Sequence, residues 1–335
     1  MAAGSSCRIC GNAGPHATFC VREMMLGLGE EFHYFQCQQC GCLQISDLPT
    51  DLSRYYPPVY YSISQQPLSA KGNPVRRLAL VLRDRYALYS RGVVGRLLYD
   101  RFPNEALRSL SMVPGLCTQT KILDVGCGTG ALLYRLRQRG FHHLLGVDPW
   151  LQNDICYPNG LIVRRQRLEE VEGTWDLVMF HHSFEHLSDP EEALNLVARL
   201  VPQGGTCLIR TPVIPCYAWQ HYGVHWVQLD APRHLLIYSR ESLELLAERT
   251  GWRLEKVVFD STEFQFWGSE QYVRGIPLLA SNSYEVNPHG SVFDRRQMAA
   301  FRSMARKLNA QEQGDSAVFY LRRLAPASGN NAKVS

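Results

Sequence analysis

Ten residues, Lys121 to Gly130 (Lys-Ile-Leu-Asp-Val-Gly-Cys-Gly-Thr-Gly), restrict the fold more than any other stretch of this 335-residue chain. Ile122, Leu123 and Val125 form the short apolar run of a strand buried in a parallel sheet, and Gly126, Gly128 and Gly130 let the backbone turn tightly against a ligand. A helix is expected from Ala131 to Arg139, its first turn offering unpaired N–H groups to whatever the glycines admit. Strand, glycine turn and helix in this order mark the first unit of a Rossmann-like sheet. Two cofactors compete for such a turn, because Gly126, Gly128 and Ala131 also satisfy the dinucleotide pattern G-x-G-x-x-A. Asp124 weighs against a dinucleotide: it places a carboxylate at the strand tip, suited to an amino-bearing or cationic ligand and repulsive to a pyrophosphate.

This stretch resembles the first motif of class I S-adenosylmethionine-dependent methyltransferases, an acidic strand end followed by alternating glycines. The resemblance continues in the family's order through Gly146-Val147-Asp148-Pro149, Trp175-Asp176-Leu177-Val178, the run His181-His182-Ser183-Phe184-Glu185-His186-Leu187, and Val201-Pro202-Gln203-Gly204-Gly205. It implies an α/β protein with a Rossmann-like seven-stranded methyltransferase sheet, the last strand antiparallel, and S-adenosyl-L-methionine as cofactor. It further implies that Asp124 and the loop of Gly126, Cys127, Gly128 and Gly130 hold the methionine moiety. Asp148, followed by Pro149, would bind the ribose hydroxyls, His181 would touch the cofactor, and Gln166 to Leu168 would meet the adenine edge by position.

A formal net charge of +4 over this length implies no general basic surface and no nucleic-acid partner. The N-terminus lacks a signal-peptide apolar region, and no stretch approaches the roughly 18 apolar residues of a membrane helix, so a cytoplasmic protein without an integral membrane segment is expected. Of eleven cysteines, Cys117, Cys127, Cys156, Cys207 and Cys216 lie singly among apolar residues and read as buried thiols of a reducing compartment. Cys7-Arg-Ile-Cys10-Gly11 and Cys37-Gln-Gln-Cys40-Gly41 differ: two C-x-x-C-G knuckles each present two thiolates, and together they complete a tetrahedral, structural Zn²⁺ site. Free thiols or a redox dithiol are the alternative, opposed by the duplication and the matching glycines. Phe32, Tyr34 and Phe35 supply a small β-hairpin with something to bury, and Cys20 and Cys42 are left as spares.

The expected organisation is a zinc-ribbon module over 1–50, an aromatic connector with amphipathic helices over 51–115, the methyltransferase domain over 116–324 with a substrate-side insertion at about 262–314, and a disordered tail over 325–335. Tyr60 and Tyr61 in the proline-broken connector are candidate lid residues over the cofactor. From Pro74 to Arg101, Leu78, Leu82, Tyr86, Tyr89, Val93 and Leu97 keep helical spacing and are expected to cover the sheet. Nine Lys or Arg between 71 and 108 against three acids read as a solvated face, or as contact with an anionic substrate or membrane surface. Strands are expected at 121–125, 143–147, 161–166, 175–180 and 206–210, and a final antiparallel pair at 252–259 and 316–323.

Methyl transfer is an in-line displacement at a sulfonium carbon, so the protein must align the nucleophile and, for a hydroxyl, take its proton. Three histidines are candidate bases: His186 after the fourth strand, and His225 and His234 in the loop after the fifth. Trp226, Asp230 and Pro232-Arg233-His234 resemble a motif of a methyltransferase subgroup tied to sugar or cell-surface polysaccharide modification. That resemblance implies a small-molecule or glycan acceptor, methylated on oxygen, in polysaccharide or natural-product biosynthesis. Arg233 would then hold a phosphate or carboxylate if the acceptor is anionic. The Cys₄ module is also similar to that of bacterial deoxysugar C-methyltransferases, whose further C-terminal domain is expected to be missing here. C-methylation of a nucleotide deoxysugar, a nicotinamide-dependent oxidoreductase, and a non-catalytic scaffold with a protein-docking ribbon remain the alternatives. Oxygen, nitrogen or carbon attack and the oligomeric state are open at this level.

Overall fold

The computed structural model describes residues 6–56 and 73–325. Its N-terminus is built from two knuckles of one design. Gly11 N–H donates to Cys7 O and Gly41 N–H to Cys37 O, both at 2.9 Å. Both glycines sit at positive φ, +76° and +73°, where a Cβ would cost about 1–2 kcal/mol. Between the knuckles, β1 (Ala17–Arg22) and β2 (Glu31–Gln36) pair antiparallel with Tyr34 opposite Phe19, and β3 (Leu43–Ile45) adds to β2. Tyr60 and Tyr61, the expected lid residues, lie outside the described residues, as does the tail from 326.

Helix α1 (Pro74–Tyr89) starts where the Asn73 side chain accepts from Val75 N–H and Pro74 needs no donor. It is followed by α2 (Val93–Arg101) and α3 (Glu105–Ser109). The expected inward face is not the buried one. Arg83, Asp84, Ala87 and Leu88 turn inward, while Leu78, Tyr89, Val93 and Leu97 are exposed. An internal ion cluster accounts for the reversal: buried Asp84 accepts from Arg83 Nη2 at 2.6 Å and from Arg139 Nη2 at 3.0 Å, so this side of α1 is anchored by charge instead of by its leucine stripe.

The core alternates strand and helix: β4 (Ile122–Val125), α4 (Ala131–Gln138), β5 (Leu144–Val147), β6 (Ile155–Cys156), β7 (Ile162–Arg164), β8 (Leu177–His181), α5 (Pro190–Leu200) and β9 (Thr206–Pro212). The chain continues with α6 (Tyr217–Tyr222), β10 (Leu236–Ile237), α7 (Arg240–Arg249), β11 (Trp252–Phe259), α8 (Phe264–Val273), α9 (Arg295–Ala310) and β12 (Ser316–Arg323). The main sheet runs β11-β12-β9-β8-β4-β5-β7-β6. Strands β7, β5, β4, β8 and β9 are parallel, and β12 lies antiparallel between β9 and β11, as expected of the last strand.

Eight strands replace the expected seven because the two-residue β6 folds back antiparallel onto β7, with Ile155 opposite Val163. Tyr157 N–H closes that turn on Leu161 O at 2.9 Å. Two apolar residues carry no periodicity, so this edge strand has no sequence signal.

The N-terminal module does not stand apart. Strand β10, in the loop after β9, pairs antiparallel with β3, Leu236 opposite Gln44 and Ile237 opposite Leu43, giving a second sheet β1-β2-β3-β10. Cys7, Ile9, Cys40 and Cys42 share one apolar cluster with Phe184, Leu236, Tyr238 and Leu243. Among the described residues no helix is long and apolar enough to cross a membrane.

Candidate active site

Strands β4 and β5 end side by side. Asp124, on β4, is buried with Oδ1 unpartnered among the described residues, and burial, reinforced by the charge of Asp148, pushes its carboxyl well above the ordinary range. The chain then turns through Gly126, Gly128 and Gly130 at φ +71°, +54° and +77°. A Cβ on Gly126 would stand 2.4 Å from Ser183 Cβ, and one on Gly130 2.6 Å from Val163 Cγ2. Gly128 N–H donates to Asp148 Oδ2 at 2.8 Å and Trp150 N–H to Oδ1 at 2.9 Å, which fixes this carboxylate at the β5 tip. Pro149 is exposed beside it. The Cys127 thiol, pushed well up by burial, fills the space beside Gly146 and is inert as a nucleophile.

Further along the rim, Gln166 Nε2 donates to Glu170 O at 2.6 Å while its Oε1 has no partner among the described residues. Leu168 opens the short 3₁₀ turn Leu168–Glu170. Both ring nitrogens of His181, at the end of β8, are buried and unpartnered among the described residues. Burial, with Arg210 nearby, keeps this imidazole neutral. Orphaned acceptors at Asp124 and Gln166, two acidic strand tips and a glycine cradle fit a cofactor carrying an amino group, a ribose and a base.

A pocket opens beyond β8, lined on its polar side by His182, His186, Gln228, Asp230 and His234 and on its apolar side by Met25, Val227, Phe264 and Leu278. His234 Nδ1 lies 2.7 Å from Gln228 O. A carbonyl can only accept, so Nδ1 carries the proton and Nε2 keeps its lone pair. That Nε2 lies 3.7 Å from Asp230 Oδ2 and 3.8 Å from Glu185 Oε1. His186 is set the same way, with Nδ1 2.8 Å from Arg233 O. Glu185 is fully buried; burial would raise its carboxyl, but the hydrogen bond from His182 at 3.4 Å, with the neighbouring His234 and His186 rings, outweighs it and holds it at about 2. His182 takes φ +52°, a strained value for a residue with a Cβ, at the pocket edge. Glu185, His186 and His234 also present one ligand atom each within 4.8 Å of one another, a donor set able to hold a divalent ion.

Two candidates are not brought to this pocket. His225 is exposed at the end of the 3₁₀ turn Gly223–His225, because its neighbour Trp226 is drawn inward by an Nε1 hydrogen bond to Asp315 Oδ2 at 3.0 Å, and the pocket lining excludes it. Arg233, expected to meet an anionic acceptor, is completely buried; its fork engages Asp230 (Nε to Oδ2, 2.9 Å), and it also donates to Tyr55 O at 3.2 Å. Tyr56, the last residue of the first described stretch, stacks on Trp150 beside the β5 tip with ring centroids 4.7 Å apart.

Cys7, Cys10, Cys37 and Cys40 converge with their sulfurs within 4.8 Å, Cys7 to Cys40 and Cys10 to Cys37 both at 3.5 Å, near the roughly 3.8 Å edge of a tetrahedron with Zn–S bonds of about 2.3 Å. Gln44 Nε2 donates to Cys7 Sγ at 3.2 Å, the outer-shell contact a thiolate needs. Cys20 and Cys42 stay outside the group. Cys207 and Cys216 are buried as expected, but Cys117, in the turn before β4, and Cys156, on the edge strand β6, are exposed.

The module also builds the pocket. Tyr34 donates to His234 O at 2.8 Å, Arg8 Nη2 to Leu235 O at 3.0 Å, buried Glu23 lies 3.8 Å from Arg233, and Met25 lines the apolar side. Met25, Glu185 and His182 were not singled out as site residues in the sequence. Glu185 carried a signal, standing one residue before His186 and three after His182. Met25 carried none, since its place depends on how the module docks.

The family model described as a methyltransferase domain matches residues 85–257, just over half of the chain, and the chain belongs to this family. It carries that family's methyltransferase domain on a Rossmann-like sheet. It is 30% identical over 102 residues to a ubiquinone biosynthesis O-methyltransferase of Pseudomonas aeruginosa, 27% of this chain and 44% of that protein. It is 35% identical over 153 residues to human methyltransferase-like protein 27, 42% of this chain and 60% of that protein. The chain thus spans less than half the length of the bacterial relative. Among solved structures it is similar to the cyclopropane synthase MmaA2 of Mycobacterium tuberculosis, with 18% identity over 65% of this chain and 83% of that one and a TM-score of 0.43.

Proposed function

We propose that the enzyme methylates a hydroxyl of a sugar, polysaccharide or natural-product precursor, with His234 as general base. The observation that carries this reading is the His234 tautomer. Nδ1–H is tied to Gln228 O, so Nε2 is a lone pair at the pocket surface, backed by Glu185 and Asp230. A pocket with one polar and one apolar side suits a sugar ring, whose edge carries hydroxyls and whose faces are C–H.

In this reading Asp124 with Gly126, Cys127, Gly128 and Gly130 binds the amino-acid end of the cofactor. Asp148 and Pro149 meet the ribose, Gln166 and Leu168 the adenine, and His181 the cofactor flank. S-adenosylmethionine supplies an electrophilic methyl group on a sulfonium. The acceptor oxygen takes the methyl as its proton passes to His234 Nε2, and Glu185 stabilises the resulting imidazolium. His186 holds the loop carrying Arg233 and lines the acceptor side. Zn²⁺ in the four-cysteine site is structural and keeps the module docked on that loop.

The test is release of S-adenosylhomocysteine from purified protein with a panel of nucleotide sugars and phenolic hydroxyl acceptors, beside calorimetric titration with S-adenosylhomocysteine. Turnover with a hydroxyl acceptor, lost in His234→Ala while S-adenosylhomocysteine affinity is kept, supports the assignment. Full turnover in His234→Ala removes it as the base, and methylation of carbon in a keto-sugar replaces the oxygen reading by the C-methyltransferase one.

A further inference from the structure

We infer that the outer face of the α1–α2 hairpin docks on an anionic lipid bilayer. The face is apolar where a surface helix should be polar: Val75 is 72% exposed, Leu78 59%, Val93 77%, Val94 57% and Leu97 64%. At 100° per residue, Val75, Leu78 and Tyr89 fall on the side of α1 opposite the buried Asp84, Ala87 and Leu88; α2 is seated on that side at Leu82 and Tyr86 through Gly95, and Val93 and Leu97 lie on the side of α2 opposite Gly95, so the apolar surface continues from α1 onto α2. Arg76, Arg77, Arg85, Arg91, Arg96 and Arg101 are exposed on the same hairpin. The acid exposed there among the described residues is Asp100, already 3.9 Å from Arg96. Aliphatic side chains flanked by arginines, on helices without a spanning segment, are the composition of an interfacial element: the apolar groups enter the acyl boundary while the guanidiniums reach headgroup phosphates.

Other occupants fit less well. A second copy across a two-fold axis would set the same six arginines against each other. Nucleic acid would satisfy the arginines and leave five aliphatic side chains with nothing to bury against. A partner protein needs a recess for its anchors. Here Gly95 seats α2 directly on α1, where a Cβ would stand 2.4 Å from Leu82 O, so the helices form a ridge. A bilayer accepts a ridge.

The full-length protein is sedimented with vesicles of neutral phosphatidylcholine and of phosphatidylcholine containing phosphatidylglycerol. Binding is expected only to the anionic vesicles, weakened by added salt. Each arginine near such a surface is worth about a fivefold change in partition, so Arg85→Gln/Arg101→Gln, beside Leu78 on α1 and between Val94 and Leu97 on α2, is expected to bind about 25-fold more weakly. Leu78→Asp/Leu97→Asp is expected to abolish binding, and Arg295→Gln/Arg296→Gln, at the exposed start of α9, to leave it intact. All three are expected to keep the wild-type melting temperature and S-adenosylhomocysteine affinity. The inference is overturned by absence of binding to anionic vesicles, by equal binding of the leucine variant, or by loss in the α9 variant as large as in the Arg85/Arg101 variant. A lowered melting temperature in the leucine variant would show that protein already covers the face. A dimer in light scattering that this variant dissolves would assign the face to a second copy.

Discussion

The hydroxyl of Tyr34, on β2 of the cysteine-bearing module, donates at 2.8 Å to the backbone carbonyl of His234, 200 residues further along the chain. Both residues are buried, and the same loop is gripped two residues on, where Leu236 pairs with Gln44. The module therefore determines where the His234 ring stands as well as capping the N-terminus. Tyr34→Phe leaves a buried carbonyl unpaired and is expected to destabilise the fold by about 1–3 kcal/mol. It should lower turnover several-fold with unchanged S-adenosylhomocysteine affinity, because the glycine loop is untouched. Differential scanning calorimetry and calorimetric titration separate the two effects.

Removing a metal ligand should act through the same clamp, more strongly. Cys37→Ser is expected to lose about one zinc per chain by elemental analysis and, with it, turnover. Chelation of the wild-type protein should reproduce the loss. Equal zinc in wild type and variant would dismiss the four cysteines as a metal site.

At the cofactor end, Asp148 holds both the Gly128 and Trp150 N–H groups and is placed to take the ribose. Hydrogen bonds to a charged group are worth about 1.5–3 kcal/mol. Asp148→Ala is therefore expected to weaken S-adenosylhomocysteine by about 10- to 100-fold in calorimetry, with NADH showing no binding to either protein.

What the sequence made legible follows periodicity and covalent spacing. Each core strand from Ile122 to Arg323, apart from β6 and β10, shows as an apolar run bounded by glycine, proline or charge. The knuckles are legible because four cysteines and two glycines repeat at fixed offsets. What could not be read was set by contacts across the chain. The leucine stripe of α1 was assigned to the core because spacing reports a face but not its direction, and Asp84 pairing with Arg139 decides the direction. His225 and His234 look alike in sequence, and only the Trp226 bond to Asp315 turns the first outward. Arg233 looked available to substrate because Asp230, three residues before it, reads equally well as a loop residue and as its partner.

Gly126 makes a sharper test of the cradle than the carboxylates do. Its φ of +71° and the 2.4 Å approach of a Cβ to Ser183 Cβ leave no room for Gly126→Ala without moving the Ser183 backbone, whose hydroxyl holds Val125 O at 2.6 Å. The substitution is expected to cost about 1–3 kcal/mol of stability and most of the cofactor affinity. Wild-type affinity in this variant would show that the loop does not approach the cofactor.

Glu185 links the pocket to pH. Its carboxyl, held at about 2 against an ordinary 4.5, is ionised at lower pH in the folded protein than in the unfolded chain. A depressed acid contributes stability that is fully present above 4.5 and is lost as pH falls toward 2. The gap corresponds to about 3 kcal/mol as an upper bound. Glu185→Gln removes this contribution, so the stability difference between wild type and variant should be near full at pH 6, shrink through pH 4.5 and vanish near pH 2 in urea titrations. Turnover of the variant should fall at every pH, since His234 would lose the anion that stabilises its charged form. A stability difference that stays constant from pH 6 to pH 2 would mean the glutamate acts through packing and its bond from Thr211 alone.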